Sequence, residues 1–229
     1  MSSVINYPFT IGADPEFFIM DKDGKPKSII GMIGGTKDNP QYLDDNKGFA
    51  IQEDNVAAEF NIPITKVKAH FAGHIKFPME AIQSLIGTDK FSISTESAIS
   101  FPDSELQIEK AWVFGCEPDY DAWNMCINEK PSASDKNLRT AGGHIHVGFE
   151  WNDDVQRQVD LVRAMDYYLG VWSVITDNGE LRKQLYGKAG AFRPKTYGFE
   201  YRTLSNMWLA SRELDRKSTR LNSSHITIS

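Results

Sequence analysis

Four segments of the chain carry polar or charged side chains separated by a single residue. The four pairs are Asp14 and Glu16, Glu59 and Asn61, His144 and His146, and Glu200 and Arg202. In a β-strand, residues two apart point to the same side of the sheet and lie roughly 6.5–7 Å from each other. Each pair is therefore predicted to occupy one face of a strand, with apolar neighbours on the other face.

Any single pair also fits the solvated face of an antiparallel sheet. Together, however, the four pairs supply carboxylates, imidazoles and a guanidinium, whereas solvated faces favour Lys, Thr and Glu of mixed sign. Carboxylate oxygens are the ligands that Mg²⁺ prefers, and the planar fork of Arg202 matches the oxygens of a phosphoryl group. We therefore expect a nucleotide and metal site. Its candidate metal ligands are Asp14, Glu16, Glu59 and Glu200.

The composition is that of a globular domain and argues against nucleic-acid and membrane partners. The 229 residues are 41% apolar and 24% charged, which is ordinary and sufficient for one core. The net charge of −6, without a basic and aromatic cluster, argues against nucleic acid. No apolar run reaches about 18 residues, which predicts no membrane span. The sequence does not open with a basic, apolar leader, which predicts a cytoplasmic protein.

The segment 215–229, DRKSTRLNSSHITIS, differs from the residues before it. It has no aromatic side chain and no period that would bury one face of a helix or strand. It also resembles a translated vector sequence, so we expect a non-native, disordered tail. Residues 1–214 are then expected to form one domain that is truncated at its C-terminal end.

Strand-like and helix-like segments alternate irregularly along the chain, which favours an α+β fold over a regular βαβ array. Apolar spacing predicts a helix over about Thr65–Ile86, kinked or divided at Pro78, and a second over Asp153–Trp172, capped by Asn152. The buried face of the second helix is predicted to be Val155, Val159, Val162, Met165, Leu169 and Trp172. The predicted strands are Phe9–Met20, Val56–Ile62, Phe91–Phe101, Lys110–Gly115, Gly143–Phe149 and Gly198–Leu204.

Longer segments surround the four pairs and run from Ile11 to Leu209. They include IGADPEFFI, GGTK, QEDNVAAEFNIP, FGCEPDYDAW, RTAGGHIHVGF and YGKAGAFRPKTYGFEYRTLSN. In this order they resemble the phage COOH-NH2 ligase-type 2 family, a branch of the amidoligases. The resemblance implies a concave, mostly antiparallel sheet with helices packed on its back, similar to glutamine synthetases and guanido kinases. It makes residues 1–214 an amidoligase-like catalytic domain.

The resemblance also implies an ATP- and Mg²⁺-dependent ligase that forms an amide through an acyl phosphate. Its partners would be a small-molecule or peptide carboxylate and an amine, and it would be phage-encoded and act in the host cytoplasm. Glu200 would hold metal, Arg202 would contact the transferring phosphate, and His144 and His146 would line the nucleotide or substrate pocket. We therefore interpret Arg202, Glu200 and His146 as catalytic, and His144 as cofactor-binding.

The glycine-rich segment near residues 186–198 carries three further cations, Lys188, Arg193 and Lys195. The resemblance implies that they bind the nucleotide by covering its phosphates, or cover the acyl substrate. Loops of this kind also serve simply as mobile connections. Upstream, Glu117 and Asp119 are candidates for binding the amine, which is positively charged before it reacts.

Two other functions fit the same residues. The first is a metallohydrolase in which His144, His146 and the acids hold Zn²⁺ or Mn²⁺. Arg202 has no obvious use in such an enzyme. The second is a catalytically degenerate phage protein that binds a host or virion partner. The presence of both Glu200 and Arg202 argues against this degeneration.

Overall fold

The computed structural model describes residues 8–112, 119–130, 133–150 and 154–210. Our expectations for Glu117, for Asn152 and for the tail 215–229 fall on residues outside these ranges. Within the ranges, the chain forms one large sheet, a separate pair of strands and several helices. No helix in this described part of the chain is long and apolar enough to cross a membrane.

The described residues form thirteen strands. They are β1 (Thr10–Asp21), β2 (Pro26–Lys27), β3 (Gln41–Tyr42), β4 (Ala50–Asp54), β5 (Ala57–Asn61), β6 (Phe91–Ser94), β7 (Ala98–Ser100), β8 (Tyr120–Asp121), β9 (Cys126–Ile127), β10 (Leu138–Thr140), β11 (Gly143–Gly148), β12 (Ala191–Lys195) and β13 (Gly198–Tyr201). The large sheet has the order β3-β4-β5-β1-β11-β13-β12-β8-β9, and β2 and β6 also pair with β1. The separate pair is β7 with β10. Each of these pairings is antiparallel.

Four α-helices accompany the strands among the described residues. They are α1 (Lys68–Ile86), α2 (Val155–Met165), α3 (Val171–Thr176) and α4 (Glu180–Leu185), and a π-helical turn over Asp166–Gly170 joins α2 to α3. Pro78 lies inside α1 but does not divide it. The cap of α2 is Asp154, whose side chain accepts a hydrogen bond from the Arg157 N–H at 3.2 Å. The second helix thus begins two residues later than predicted.

The two longest helices pack against the large sheet. The apolar side of α1 is buried with Ala13 and Phe17 of β1, and α2 buries Val159 and Val162 with Phe199 of β13. Full burial of such a side chain contributes about 1.5–3 kcal/mol. Because strand side chains alternate, Asp14 and Glu16 point to the opposite face of the sheet from Ala13 and Phe17. The α+β class predicted from the sequence is confirmed, with an open antiparallel sheet.

A smaller layer covers one end of the opposite face. Ile99 of β7 and the nearby Phe101 and Leu106 are buried together with Phe18 of β1 and Val56. The rest of this face carries the polar pairs identified in the sequence. The small layer therefore forms a wall beside the polar residues.

Three predicted strands differ from the observed ones. The predicted strand Phe91–Phe101 is two strands, because β6 pairs with β1 whereas β7 pairs with β10. The predicted strand Lys110–Gly115 is wrong at its start, since Glu109–Trp112 is a 3-10 turn in which the Ala111 N–H bonds to the Ile108 carbonyl. The strand predicted to end at Leu204 ends at Tyr201.

The predicted buried face of the second helix is correct only in its middle. Val159 and Val162 are buried, but Val155, Leu169 and Trp172 are exposed. A π-helical turn accommodates an extra residue and so rotates the helix that follows it. Asp166 and Gly170 are consequently the buried residues of that turn.

Candidate functional site

The strand register brings the predicted polar residues to one face of neighbouring strands. Direct partners in an antiparallel ladder point to the same face and have Cβ atoms about 4.5–5.5 Å apart. The partners are Glu16 with Glu59, Asp14 with His144, His146 with Glu200, and Glu200 with Arg193. Because these pairs share residues or strands, the polar face runs continuously from β5 through β1, β11 and β13 to β12.

Asp14, His144 and Glu200 form a candidate metal centre. Ligand atoms of these three residues all lie within 4.8 Å of one another. His144 Nδ1 is 3.7 Å from Asp14 Oδ1 and 3.5 Å from Glu200 Oε1. Two carboxylates and an imidazole form a donor set that suits a divalent cation.

Two buried polar atoms beside this centre lack hydrogen bonds of good geometry. They are Asp14 Oδ1 and His146 Nε2, which lie 2.9 Å from each other. Buried polar atoms are normally hydrogen-bonded. These two atoms contact each other as an ion pair when His146 is protonated, and Asp14 is also one of the three candidate metal ligands. The residues present therefore fit a bound cation.

Glu16 and Glu59 form a second acidic group next to the first. Glu16 accepts a hydrogen bond from the Gly142 N–H at 2.7 Å, and Glu59 accepts one from Gln52 Nε2 at 2.6 Å. Burial, followed by repulsion from Asp54, raises the pKa of Glu16 to about 8. Burial, Asp14 and Glu16 likewise raise the pKa of Glu59 well above its usual value. A bound cation would relieve this repulsion and favour the ionised carboxylates.

Glu200 lies between the acidic residues and the cationic side chains of the site. It is 1% exposed, and Arg193 Nη1 and Lys195 Nζ each lie 3.1 Å from its Oε2. Arg202 forms a short ion pair with its Oε1. Burial alone would raise the pKa of Glu200, but His144, Arg202 and Arg193 outweigh burial and hold it well below its usual range. Glu200 is thus an ionised acid among three cationic side chains.

The two histidines have opposite electrostatic environments. Burial and then the charge of Arg202 lower the pKa of His144 well below 6.5. His144 is therefore neutral at neutral pH, which is the form that binds metal, and the charged groups beside Glu200 at that pH are Arg202, Arg193 and Lys195. Burial alone would lower the pKa of His146, but its contact with Asp14 raises it. The other ring nitrogen of His146 makes a short contact with the Tyr197 hydroxyl.

The structure separates the three cations of the glycine-rich segment. Arg193 and Lys195 belong to strand β12, not to a loop, and both contact Glu200. Lys188 is exposed, and no contact found among the described residues joins its side chain to the acids. Asp119, a candidate for binding the amine, instead pairs with Arg202 at 3.4 Å.

A cavity of about 590 Å³ adjoins the acidic residues. Its charged and polar lining includes Glu16, Asp54, His144, Arg182 and Arg202. The sequence analysis missed Arg182 and Asp54. Arg182 lies in the charged segment ELRKQL, where no spacing distinguishes it from a solvated helix residue. Asp54 ends strand β4 next to an apolar run, and only the fold shows that it lines a cavity.

Part of this site lies in a region that matches a known protein family. Residues 135–226 match the family model for phage phiEco32-like COOH-NH2 ligase-type 2. The family that the sequence motifs resemble is thereby confirmed, over a range shorter than half of the chain. The range includes His144, His146, Glu200 and Arg202, and it extends into the segment 215–229. The family name supports a ligase that joins a carboxylate to an amine. No curated protein matches the chain significantly.

Proposed function

We propose that the chain is an ATP- and Mg²⁺-dependent ligase that joins a carboxylate to an amine through an acyl phosphate. One observation carries the proposal. Arg202, a guanidinium suited to phosphate, pairs with Glu200, and Glu200 belongs to the Asp14–His144–Glu200 donor set. A group suited to phosphate and groups suited to a metal therefore lie side by side, which supports a phosphoryl-transfer site.

The proposed reaction has two steps. A carboxylate oxygen of the acid substrate attacks the γ-phosphorus of ATP, and the bond from that phosphorus to the β,γ-bridging oxygen breaks to release ADP. The amine nitrogen then attacks the acyl carbon, the bond from carbon to the phosphate oxygen breaks, and the nitrogen loses a proton. Phosphorylation matters because a free carboxylate is a poor electrophile at neutral pH.

The residues divide this work by charge. Asp14, His144 and Glu200, with Glu16 and Glu59 beside them, would hold Mg²⁺. When bound, Mg²⁺ supplies the positive charge that neutralises phosphate oxygens. The acids fit this role because burial and mutual repulsion favour a cation among them.

Arg202 would stabilise charge on the transferring phosphoryl group, and preorganised groups of this kind supply much of the rate in such reactions. Arg193 and Lys195, already beside Glu200, would bind the other phosphate oxygens. Lys188, which is exposed, would contact the nucleotide from the solvent side of the site. His146 would accept the proton from the amine, because Asp14 lies 2.9 Å from its Nε2 and stabilises the protonated imidazole.

The remaining expectations are proposals of the same kind. A concave sheet similar to that of glutamine synthetase agrees with the antiparallel order and with helices packed on the sheet. Phage origin and action in a host cytoplasm agree with the name of the matched family. The substrates would be a small-molecule or peptide carboxylate and an amine.

A metal-dependent hydrolase is the second candidate function, and one observation favours it. His144 belongs to the Asp14–His144–Glu200 donor set, and imidazole is a common ligand of Zn²⁺. The cations that form ion pairs with Glu200, namely Arg193, Lys195 and Arg202, favour the ligase. A hydrolase of this type has no evident use for them.

The decisive experiment measures ADP release from the full chain with ATP, Mg²⁺ and mixtures of amines and carboxylic acids. A ligase releases ADP only when an acid is present, and faster when an amine is added. A hydrolase instead shows turnover without ATP that a zinc chelator abolishes. If ATP with Mg²⁺ neither binds nor is turned over in any mixture, the ligase proposal is wrong.

A further inference from the structure

The cavity beside the acids contains a buried cation that the proposed chemistry does not use. Glu16, Gly142, His144 and Arg202 line both this cavity and the acidic site. The cavity also has apolar walls, which include Phe18, Val56, Leu138 and Leu185. Its volume of about 590 Å³ is in the range of small-molecule sites. The lining cations that the proposed chemistry does not use are Lys130, Lys136, Arg139 and Arg182. Arg139 and Arg182 are buried, and Arg139 donates to three carbonyl oxygens at 2.8–3.0 Å. Arg182 is the buried cation with the longer hydrogen bonds.

Arg182 is 2% exposed, and its side chain makes long hydrogen bonds to two described residues. Its Nη1 donates to the Thr203 carbonyl at 3.3 Å, and its Nη2 donates to the Arg202 carbonyl at 3.5 Å. Charge-assisted bonds to a carboxylate are normally about 2.7–2.9 Å long. Within the described ranges, no carboxylate lies at ion-pair distance from Arg182, whereas Arg193, Lys195 and Arg202 all contact Glu200.

A buried guanidinium of this kind needs an opposite charge. Burial, together with the charge of Arg202, lowers the pKa of Arg182 to about 10, so the charged form is less favoured than in water. Glu16 and Asp177 favour the charged form, but neither lies at ion-pair distance from Arg182. Two carbonyl oxygens at long distance offset little of that cost, because they carry only partial charge. The bidentate fork of arginine matches a planar carboxylate. An anionic ligand in the cavity would complete the environment of Arg182.

We propose that Arg182 binds a carboxylate of the acid substrate that is distinct from the carboxylate reacting beside Arg202. This inference rests on the proposed ligase function, and it narrows the acid substrate to a molecule with at least two carboxylates. The two carboxylates are separated by an apolar chain that lies along Phe18, Val56 and Leu185. A phosphate is the other anion that suits a guanidinium, but Arg193, Lys195 and Arg202 already serve the nucleotide.

The test observes Arg182 directly. In the ¹⁵N-labelled full chain, the Arg182 Nε–Hε resonance is assigned by its loss in Arg182→Lys, and it is followed by NMR without ATP or metal. The probes are acetate, the dicarboxylates succinate, glutarate and adipate, and inorganic phosphate, all at constant ionic strength. We expect saturable shifts with carboxylates and about tenfold tighter binding of the best dicarboxylate than of acetate.

Two variants separate specific binding from general attraction. Arg182→Lys keeps the charge but loses the fork, so the best dicarboxylate should bind about tenfold more weakly. Lys130→Gln removes an exposed cation from the cavity lining, and it should change binding by less than about twofold. Binding to the variants is measured by calorimetry. If Arg182→Lys does not fold, the Arg182 Nε–Hε resonance is assigned in the wild type by through-bond correlation to the Arg182 backbone, and the wild-type titration decides.

The inference is overturned if no carboxylate shifts the Arg182 resonance saturably. It is also overturned if phosphate binds there more tightly than every carboxylate, since the cavity would then belong to the nucleotide. The titration requires neither ATP nor metal, so the two proposals can fail separately. If ADP is released but no carboxylate binds at Arg182, the carboxylate site is wrong and the ligase function stands. Carboxylate binding at Arg182 without ADP release instead removes the ligase function.

Discussion

Glu16 and Glu59 lie directly opposite each other on the adjacent strands β1 and β5. Their carboxylates share one face of the sheet, where the charge of Glu16 helps to raise the pKa of Glu59. When both carboxylates are ionised, this pairing destabilises the folded chain, and a cation between or beside the acids offsets that cost. This relationship gives the first prediction.

Mg²⁺ or Mn²⁺ should stabilise the full chain. A cation at about 100 times its Kd contributes about 2.7 kcal/mol, which raises the Tm by roughly 5–10 °C for a chain of this size. Glu59→Gln removes one acid, so it should raise the Tm of the metal-free protein and reduce the response to metal. Thermal unfolding with and without each cation checks both effects.

The matched control for this experiment is Glu150→Gln, which neutralises an exposed acid outside the site. It should leave the metal response unchanged. A wild-type Tm that does not respond to Mg²⁺, Mn²⁺ or Zn²⁺ would show that the acids do not form a metal site.

Arg202→Lys should separate transition-state stabilisation from nucleotide binding. Lysine keeps the charge beside Glu200 but loses the bidentate fork, so ADP release should fall by about 10²–10³. ATP affinity should fall far less, because other groups hold the ground-state phosphates. Glu200→Gln should instead weaken the dependence on Mg²⁺ by removing a ligand charge. Arg157→Lys, on the exposed side of α2, serves as the control, and an equal loss in both arginine variants would contradict the assigned role.

Asp166 should be a structural anchor for strand β13. Its Oδ1 accepts a hydrogen bond from the Tyr201 hydroxyl at 2.6 Å, and its Oδ2 accepts one from Trp123 Nε1 at 2.5 Å. Removing such bonds from buried groups costs about 1–3 kcal/mol. Tyr201→Phe and Asp166→Asn should each lower the free energy of unfolding in urea, and the double variant should lose less than the sum.

The exposed Tyr168, which is 77% accessible on the same π-helical turn, provides the control for Tyr201. Tyr168→Phe should leave the free energy of unfolding unchanged within about 0.5 kcal/mol. Losses that add without coupling between Tyr201 and Asp166 would mean that the hydrogen bond contributes nothing measurable.

Glu53 should give the fold an acid-sensitive contribution. Its Oε1 accepts hydrogen bonds from the N–H groups of Gly31 at 2.8 Å and Gly34 at 3.0 Å, and Lys110 Nζ lies 3.0 Å from its Oε2. Burial alone would raise the pKa of Glu53, but these partners lower it below its usual value of 4.5. The stabilisation is therefore fully present above pH 4.5 and is lost as the pH falls through the lowered pKa.

Glu53→Gln should reduce the free energy of unfolding by about 2 kcal/mol at neutral pH and flatten its dependence on pH below the usual carboxyl pKa. Urea unfolding across the acid range measures both quantities. Glu129→Gln, at an exposed position, should change neither. An unchanged acid limb in Glu53→Gln would assign the acid sensitivity to other carboxylates.

The sequence by itself determined the local periodicities and the types of chemical group in the site. The alternation in GADPEFF, VAAEFNI, GGHIHVGF and GFEYRTLS predicted strands that the structure confirms as β1, β5, β11 and β13. It succeeded because the period of two is fixed by the geometry of the strand itself. The motifs also predicted the family that the comparison confirms over residues 135–226.

Only the tertiary structure decided which side chains meet. Register pairs Asp14 with His144, which placed a residue predicted to bind the nucleotide in the Asp14–His144–Glu200 donor set. The π-helical turn rotated Trp172 to the surface and Asp166 into the core. Arg182 is buried and lines the cavity, although the charged segment ELRKQL around it is typical of a solvent-exposed helix. Register, helix phase and burial arise from contacts between distant segments, and short-range spacing therefore does not determine them.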